Sequence, residues 1–285
     1  MAFLTAKRIS RTAIALLTRT LVLPMTVTRV AGEEFAGSNG DTVTVRVPVP
    51  QSARTQESPG SSITYDDITE VPVDVTLAHL YHATKVTDES LSLEIEQFAE
   101  QVTLVQVSAV ATGGEDELAG AMNAVAADIT DVDGDNIEDS ILEARETLGS
   151  NDVPVGDRWL AVSPEVATLM LKLDKFSRVD ASGDDSALRQ AILGRIYGLM
   201  VVESNALTSG TAVAYHRSGF AFATRTPVVP RGAADSATAT EAGIGLRQIF
   251  QYDPNVLSDA SVISTFAGAS LVDADRVVKL TTASS

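Results

Sequence analysis

Thr42-Val-Thr-Val-Arg-Val47 and Glu70-Val-Pro-Val-Asp-Val-Thr76 are the two stretches on which the fold turns. Each places valine at every second position, the period of a strand with one covered face and one wet face. Gly37-Ser-Asn-Gly40 is a turn signal ahead of the first strand, and Pro48 and Pro50 stop it. Residues 51–67 between the two are rich in Ser, Gly, Thr and charge and read as an exposed tip. Two strands with a long polar tip make an extended arm. A lone hairpin is marginal in water, so this one needs a support, and a neighbouring copy of the chain is the expected one.

The rest of the composition narrows what such a chain can do. It has 285 residues, 45% hydrophobic and 21% charged, which suits one large globular domain or two coupled ones. It has no cysteine, which excludes disulfides, thiolate zinc sites and cysteine nucleophiles. The net charge of −17 gives a surface that repels phosphate and argues against a general nucleic-acid binder. Yet no acid precedes Glu33, whereas Lys7, Arg8, Arg11, Arg19 and Arg29 do, so the N-terminus reads as a basic tail that contacts something anionic. Arg19 interrupts the apolar stretch Ala13–Leu23, no small-residue cleavage site follows it, and it is too short for a membrane span. Ile9, Ala13, Leu16, Leu17 and Leu21 fall at helical spacing, which predicts an amphipathic helix ended by Pro24.

Further along, the pattern predicts a strand over Leu91–Ile95 and a long helix from Gln97, broken or kinked at Gly113-Gly114 and resuming over Glu115–Ala127. A loop, a helix from Ile137 to Leu148 closed by Gly149, and a strand over Asp157–Val162 follow. Ser163-Pro164-Glu165 opens the next helix with a hydroxyl cap, a proline in the first turn and an acid at the positive end of the dipole. Asp184 or Asp185 caps another helix ended by Gly194. Strands are expected at Leu199–Val202, Thr211–Tyr215, Phe220–Thr224, Ile244–Tyr252 and Ala274–Leu280, with a loop over Val229–Thr240. The order is mixed α+β, without internal repeats or steady β-α alternation.

Candidate chemistry is sparse. Asp131, Asp133 and Asp135 have the first three ligand spacings of a calcium loop, but Asn136 stands where glycine is required and Leu142 where the bidentate acid belongs. The loop then serves as a solvated turn that caps the following helix. His79 and His82 are three apart, and on a strand they would point to opposite faces; no third ligand is close to them or to His216 in sequence. There is no Gly-x-Ser-x-Gly elbow and no phosphate-binding glycine loop. The reading is a non-enzyme without metal or cofactor.

Several stretches, in order, resemble the major capsid proteins of tailed bacteriophages with the Hong Kong 97-type fold, in the short form without an inserted domain. They are Phe35–Pro48, Val71–Val75 with Val86–Asp88 and Leu91–Ile95, then Asp157–Pro164, Ala187–Gly198 and Val201–Asn205, and finally Gly245–Arg247 through Asp253 with Phe266–Ala269 and Val272-Asp273. The resemblance covers nearly the whole chain and rests on the order of these segments. It implies an N-terminal arm (1–40), an extended two-stranded loop (41–78), a peripheral domain with a long spine helix (79–130), an axial domain (131–243) and closing strands shared by both (244–285).

It further implies a homo-oligomer of pentamers and hexamers forming an icosahedral shell around double-stranded DNA, assembled in the host bacterial cytoplasm. A portal protein and decoration proteins are implied partners, and no membrane is involved. The arm begins near Asp41, which leaves no room for a built-in scaffold segment, so a separate scaffolding protein is expected. Arg46, Arg54 and Tyr65 on the loop and Lys7, Arg8 and Arg11 on the tail are the expected interface residues. Some relatives cross-link through an arm lysine; here no lysine lies between Lys7 and Lys85, so the shell is expected to hold without covalent links. Two other readings stay open at this point. One is an encapsulin-like compartment subunit that loads protein cargo, and the other a soluble or secreted α+β enzyme.

Overall fold

Two six-stranded sheets carry the described part of the chain, and one long helix joins them. The structure, a computed structural model, describes residues 13–14, 21–31, 42–48, 53–56, 58–60, 62–65, 67, 69–89, 102–172, 192–233, 235–241 and 244–283.

The first sheet has the order β1 (Thr28–Ala31), β10 (Phe220–Arg225), β13 (Ser258–Leu271), β12 (Ile244–Asp253), β11 (Asp235–Glu241). Along the other edge of β13 lies β4 (Ala78–Thr87), antiparallel from Ser258↔Thr87 to Ala267↔Ala78. The second sheet runs β5 (Ile129–Val132), β14 (Val277–Thr282), β9 (Thr211–His216), β6 (Arg158–Val162), β8 (Leu199–Glu203), β7 (Ile192–Ile196). Helices α2 (Ile137–Ser150) and α3 (Pro164–Leu171) pack on it through Ile137, Ile141, Ala144, Leu148, Val166 and Met170, all buried against Leu160, Val162 and Leu280. The hairpin β2 (Thr42–Pro48) and β3 (Glu70–Thr76) is a separate two-stranded sheet.

Helix α1 (Leu104–Ala124) is the spine between the two sheets. Its first half buries Val107, Val110 and Ala111 against Ile244, Leu246 and Ile263 of the first sheet. Its second half buries Leu118, Ala119 and Met122 in a cluster shared by Ala161, Val213 and Tyr215 of the second sheet and Phe220, Phe222 and Ala267 of the first. The helix runs unbroken through Gly113-Gly114, which corrects the expected break. A Cβ at Gly113 would lie 3.3 Å from the Leu80 side chain, and one at Gly114 would lie 3.7 Å from Phe222. Gly113 lets the helix lie close to Leu80 on β4, and that packing offsets its propensity cost of about 1 kcal/mol, whereas a Cβ at Gly114 would make ordinary contacts.

Other corrections have equally local causes. Gly194 ends no helix: it sits in β7, where the register with β8 shifts between Ile192 and Gly194, so it marks a bulge. Asp235–Glu241 is a strand, not loop, paired with β12 over its whole length from Asp235↔Phe250 to Glu241↔Ile244. Ser163 holds the N-cap backbone conformation of α3, but its buried hydroxyl has no hydrogen-bond partner, so proline and backbone define this helix start and not a hydroxyl cap. The second sheet takes its strands from 129–216 and 277–282. Strands β10 and β11 lie in the first sheet.

Ala13 and Ile14 are helical and buried; the rest of the expected N-terminal helix before Leu21 lies outside the described residues, as do the expected strand Leu91–Ile95 and the cap at Asp184 or Asp185. Among the described residues no helix is long and apolar enough to cross a membrane.

Candidate assembly surfaces

The arm is covered at its root and bare at its end. Val43↔Val75, Val45↔Val73 and Val47↔Val71 are cross-strand pairs that form one apolar stripe. At the root Val43 and Val75 are buried with Leu77 against Ala221 and Ala223 of the first sheet. Further out Val45 and Val73 are half-buried, and Val71 is 51% exposed. Beyond the strands the described residues 53–56, 58–60 and 62–65 are all exposed, with Ile63 at 59% and Tyr65 at 85%. The apolar stripe thus loses its cover progressively with distance from the subunit's own core.

The root is fixed by backbone contact. A Cβ at Gly268 of β13 would stand 2.0 Å from the Thr76 carbonyl oxygen, so only glycine lets the end of β3 cross β13 this closely. On the arm itself Thr44 Oγ1 donates to Asp74 Oδ1 at 2.7 Å, and Arg46 faces Glu70 at 3.5 Å. The expected interface residues Arg46, Arg54 and Tyr65 are all exposed on the arm; Lys7, Arg8 and Arg11 lie outside the described residues.

A second uncovered apolar surface was not legible in the sequence. The β12–β13 hairpin exposes Tyr252, Val256 and Leu257, and Leu257 has φ 44°, a left-handed conformation that is uncommon for a branched side chain. The Asp88 amide donates to the Leu257 carbonyl at 3.2 Å, and the Tyr252 hydroxyl donates to Asp88 Oδ2 at 3.0 Å, which ties this end to β4. Pro254-Asn255 marks the turn in the sequence, but nothing there marks the exposure of the residues that follow.

The N-terminal segment straps the two sheets together. The turn Leu23–Met25 buries Leu23, and its Val22 and Leu23 amides donate to the carboxylate of Glu115 on α1, Leu23 at 3.1 Å to each oxygen. Burial, with a smaller push from Asp116, raises the Glu115 pKa to about 7 against the pull of those two amides. The Thr26 hydroxyl shares a 2.5 Å hydrogen bond with Tyr215 on β9. Val27 is buried, and β1 then pairs in parallel with β10.

The sequence candidates for chemistry resolve into structural roles. Asp133 Oδ1 accepts from the amides of Asp135 and Asn136 at 2.9 Å, Asn136 Oδ1 accepts from the Asp133 amide at 2.8 Å, and Asn136 Nδ2 donates to the Asp131 carbonyl at 2.9 Å. The acidic loop is a closed turn leading into α2, and no group of three or more potential metal ligands comes together among the described residues. His79 stacks on Phe266 at 4.6 Å, while His82 points to the other face of β4 and pairs with Thr84. His216 Nδ1 pairs with the Ser218 hydroxyl at 2.8 Å; burial, and secondarily Arg276, lowers its pKa.

Two sheets sharing one spine helix, with a projecting arm that its own core leaves bare, define a Hong Kong 97-type capsid subunit. The chain belongs to the phage capsid protein family, whose model matches residues 70–279, well over half of it. It is a major capsid protein, and its place is the virion capsid. Among solved structures it is similar to that of Mycobacterium phage Che8, at 22% identity over 92% of this chain and 91% of that one, with a TM-score of 0.60. The capsid of Ralstonia phage GP4 gives 10% identity, 94% and 90% coverage and a TM-score of 0.65. The virus-like particle from Pyrococcus furiosus gives 8%, 96% and 97%, and 0.60. No curated protein sequence matches.

Proposed function

We propose that this subunit assembles, as pentamers and hexamers, into the icosahedral shell that encloses the double-stranded DNA of a tailed phage. One observation carries the reading: the apolar stripe of the arm is buried at Val43 and Val75 and exposed at Val71, Ile63 and Tyr65. An apolar surface presented away from its own core is stabilised when a second copy covers it, at about 25 cal/mol per Å². Repeated around every subunit, such modest contacts sum to a stable shell. In this reading the sheet under α1 with β4 and β10–β13 is the peripheral domain, and the sheet containing β5–β9 and β14 the axial domain.

The subunit's chemistry is association, not catalysis. A separate scaffolding protein directs assembly in the host cytoplasm, a portal protein occupies one vertex, and decoration proteins bind outside. Arg46, Arg54 and Tyr65 contact neighbours. Lys7, Arg8 and Arg11, a basic segment on a chain whose net charge is −17, face packaged DNA or an acidic scaffold segment and pair with acidic patches of neighbouring subunits.

Expression with the scaffolding protein, followed by negative-stain microscopy, is expected to show uniform closed shells; a discrete small species would contradict the reading. Nuclease-protected DNA inside native particles separates a virion from an encapsulin-like compartment, which would hold protein cargo.

A further inference from the structure

We propose that the loop 226–233 is the seat on which the arm tip of a second copy docks, with Ile63 and Tyr65 laid on Val228 and Val229 and the acids Asp66 and Asp67 set against Arg225 and Arg231. The inference rests on the shell reading above and deepens it by naming the surface that receives the arm.

The loop is bare but built. Arg225-Thr-Pro-Val-Val-Pro-Arg231 sets two valines between two prolines and two arginines. Both prolines fix their φ, and Pro227 is buried. The Val228 carbonyl accepts from Arg247 Nη1 at 2.6 Å, while Nε and Nη2 of the same guanidinium donate to Ser264 Oγ at 3.2 and 3.0 Å. The Ala233 amide closes a turn onto the Pro230 carbonyl at 3.3 Å. Held in this way, Val228 is 83% exposed and Val229 38%. A loop fixed beforehand loses little freedom when a partner covers it.

The charges around the valines point to the same use. Arg225 and Arg231 are exposed, and among the described residues neither side chain makes an ion pair or a hydrogen bond. The chain holds 38 acids against 21 Lys and Arg, so two arginines without acids mark a place that an acidic partner completes.

The occupant must carry large apolar side chains beside acids, on an element that reaches away from its own subunit. Ile63-Thr-Tyr-Asp-Asp67 has two apolar side chains directly before two acids. Ile63, Tyr65 and Asp67 are all exposed. The seven-residue strands β2 and β3 carry this tip about 20 Å from the buried root, at about 3.3 Å per residue. Tyr65 and Val228 are both exposed in one subunit, so the tip does not sit on its own loop and a second copy has to supply it. The β12–β13 hairpin also sets Tyr252, Val256 and Leu257 near acids, but it is paired with β4 as far as Ser258↔Thr87 and tied to Asp88, so it lacks the reach.

Charge reversal in full-length subunits, assembled with the scaffolding protein, tests the seat. Arg225→Glu with Arg231→Glu sets acid against acid and is expected to raise the protein concentration at which shells form by at least about tenfold. Adding Asp66→Lys and Asp67→Lys to the same chain should bring it back towards the wild-type value. A reversal without effect, or one that the second pair does not restore, overturns the seat while leaving the shell reading intact. A wild type that forms no shells brings down the shell reading and the seat with it. Should the reversed subunit not fold, a cross-link decides, since the chain has no cysteine of its own. Tyr65→Cys and Val228→Cys subunits, made separately, mixed, assembled and mildly oxidised, should give a disulfide-linked dimer on a non-reducing gel from the mixture and from neither variant alone. No dimer from that mixture, or a dimer from Tyr65→Cys alone or with Val256→Cys in place of Val228→Cys, places the tip elsewhere and overturns the seat.

Discussion

Lys279 caps the spine helix from another element: its Nζ donates to the Asn123 carbonyl at 2.6 Å and to the Val125 carbonyl at 3.0 Å. The last carbonyls of a helix lack partners within it and carry the negative end of its dipole, so an ammonium placed there answers both needs. Its own strand is tied in as well, since the Lys279 amide donates to Asp128 Oδ2 and its carbonyl accepts from the Asp128 amide, both at 2.9 Å. Residues 151 to 156 positions apart thereby join α1 to the second sheet.

Replacing Lys279 with Met keeps the stem and removes both charge-assisted hydrogen bonds. With the site only partly buried, the expected loss is about 1–3 kcal/mol. Thermal unfolding of the unassembled subunit should show a midpoint lower by several degrees. An unchanged midpoint would mean that water replaces the ammonium at no cost.

Arg158 does the corresponding work for α2. It is 6% exposed, and its guanidinium donates to the carbonyls of Pro154 (2.8 Å), Val153 (2.5 Å) and Leu148 (3.5 Å). A Lys replacement cannot reproduce a planar fork spread over three carbonyls. Arg158→Lys is expected to cost about 2 kcal/mol and Arg158→Ala about 3–4 kcal/mol, because the first breaks up the fork and the second also leaves the buried Val153 carbonyl without its donor. Urea denaturation of the two variants checks the order as well as the size.

What could be read from the sequence followed element by element from the pattern of large apolar side chains. Valine at every second position announced β2 and β3, and Trp159 through Val162 announced β6. The longest strand, β13, carries Ser261, Ser264, Thr265, Ala267 and Gly268 at buried positions, so hydrophobic alternation could not announce it. Strand β11 is an edge of Ser, Thr and Ala for the same reason. The arm as an assembly surface was visible because its polar tip interrupts two clear strands. The hairpin at Val256-Leu257 and the Glu115 contact were not, since both depend on which residues tertiary packing covers. Glu115 looks like any helix-surface acid until the strap is laid over it.

Gly268 and Gly120 offer opposite outcomes for the same substitution. At Gly268 an added Cβ would meet backbone, 2.0 Å from the Thr76 oxygen and 3.3 Å from the Leu77 Cα. Neither can move without shifting the root of the arm. Gly268→Ala should therefore destabilise the subunit by about 2–3 kcal/mol and lower shell yield further than stability alone explains. At Gly120 in α1 nothing lies within 4 Å of an added Cβ. Gly120→Ala should stabilise by about 0.5–1 kcal/mol through helix propensity and a less free unfolded chain. Calorimetry on both variants, beside particle counts, separates the two effects.

The arm predicts a double dissociation between stability and assembly. At the root, Val43 is buried against Ala221 and Ala223, so Val43→Ala should cost the isolated subunit about 1–3 kcal/mol. At the tip, Ile63 and Tyr65 touch little of their own subunit, so the double change Ile63→Ser with Tyr65→Ser should alter subunit stability by less than about 0.5 kcal/mol. In a shell those two side chains would be covered by a neighbour, each contributing about 1.5–3 kcal/mol if fully buried. Even half of that, lost at every arm, weakens each contact by roughly tenfold to a hundredfold. The tip variant should thus melt like the wild type and yet fail to close shells at concentrations where the wild type does. Sedimentation of matched samples reads assembly, and thermal unfolding reads the subunit. A tip variant that assembles normally would show that the exposed end of the arm is solvated in the particle and that its apolar residues carry no part of the contact.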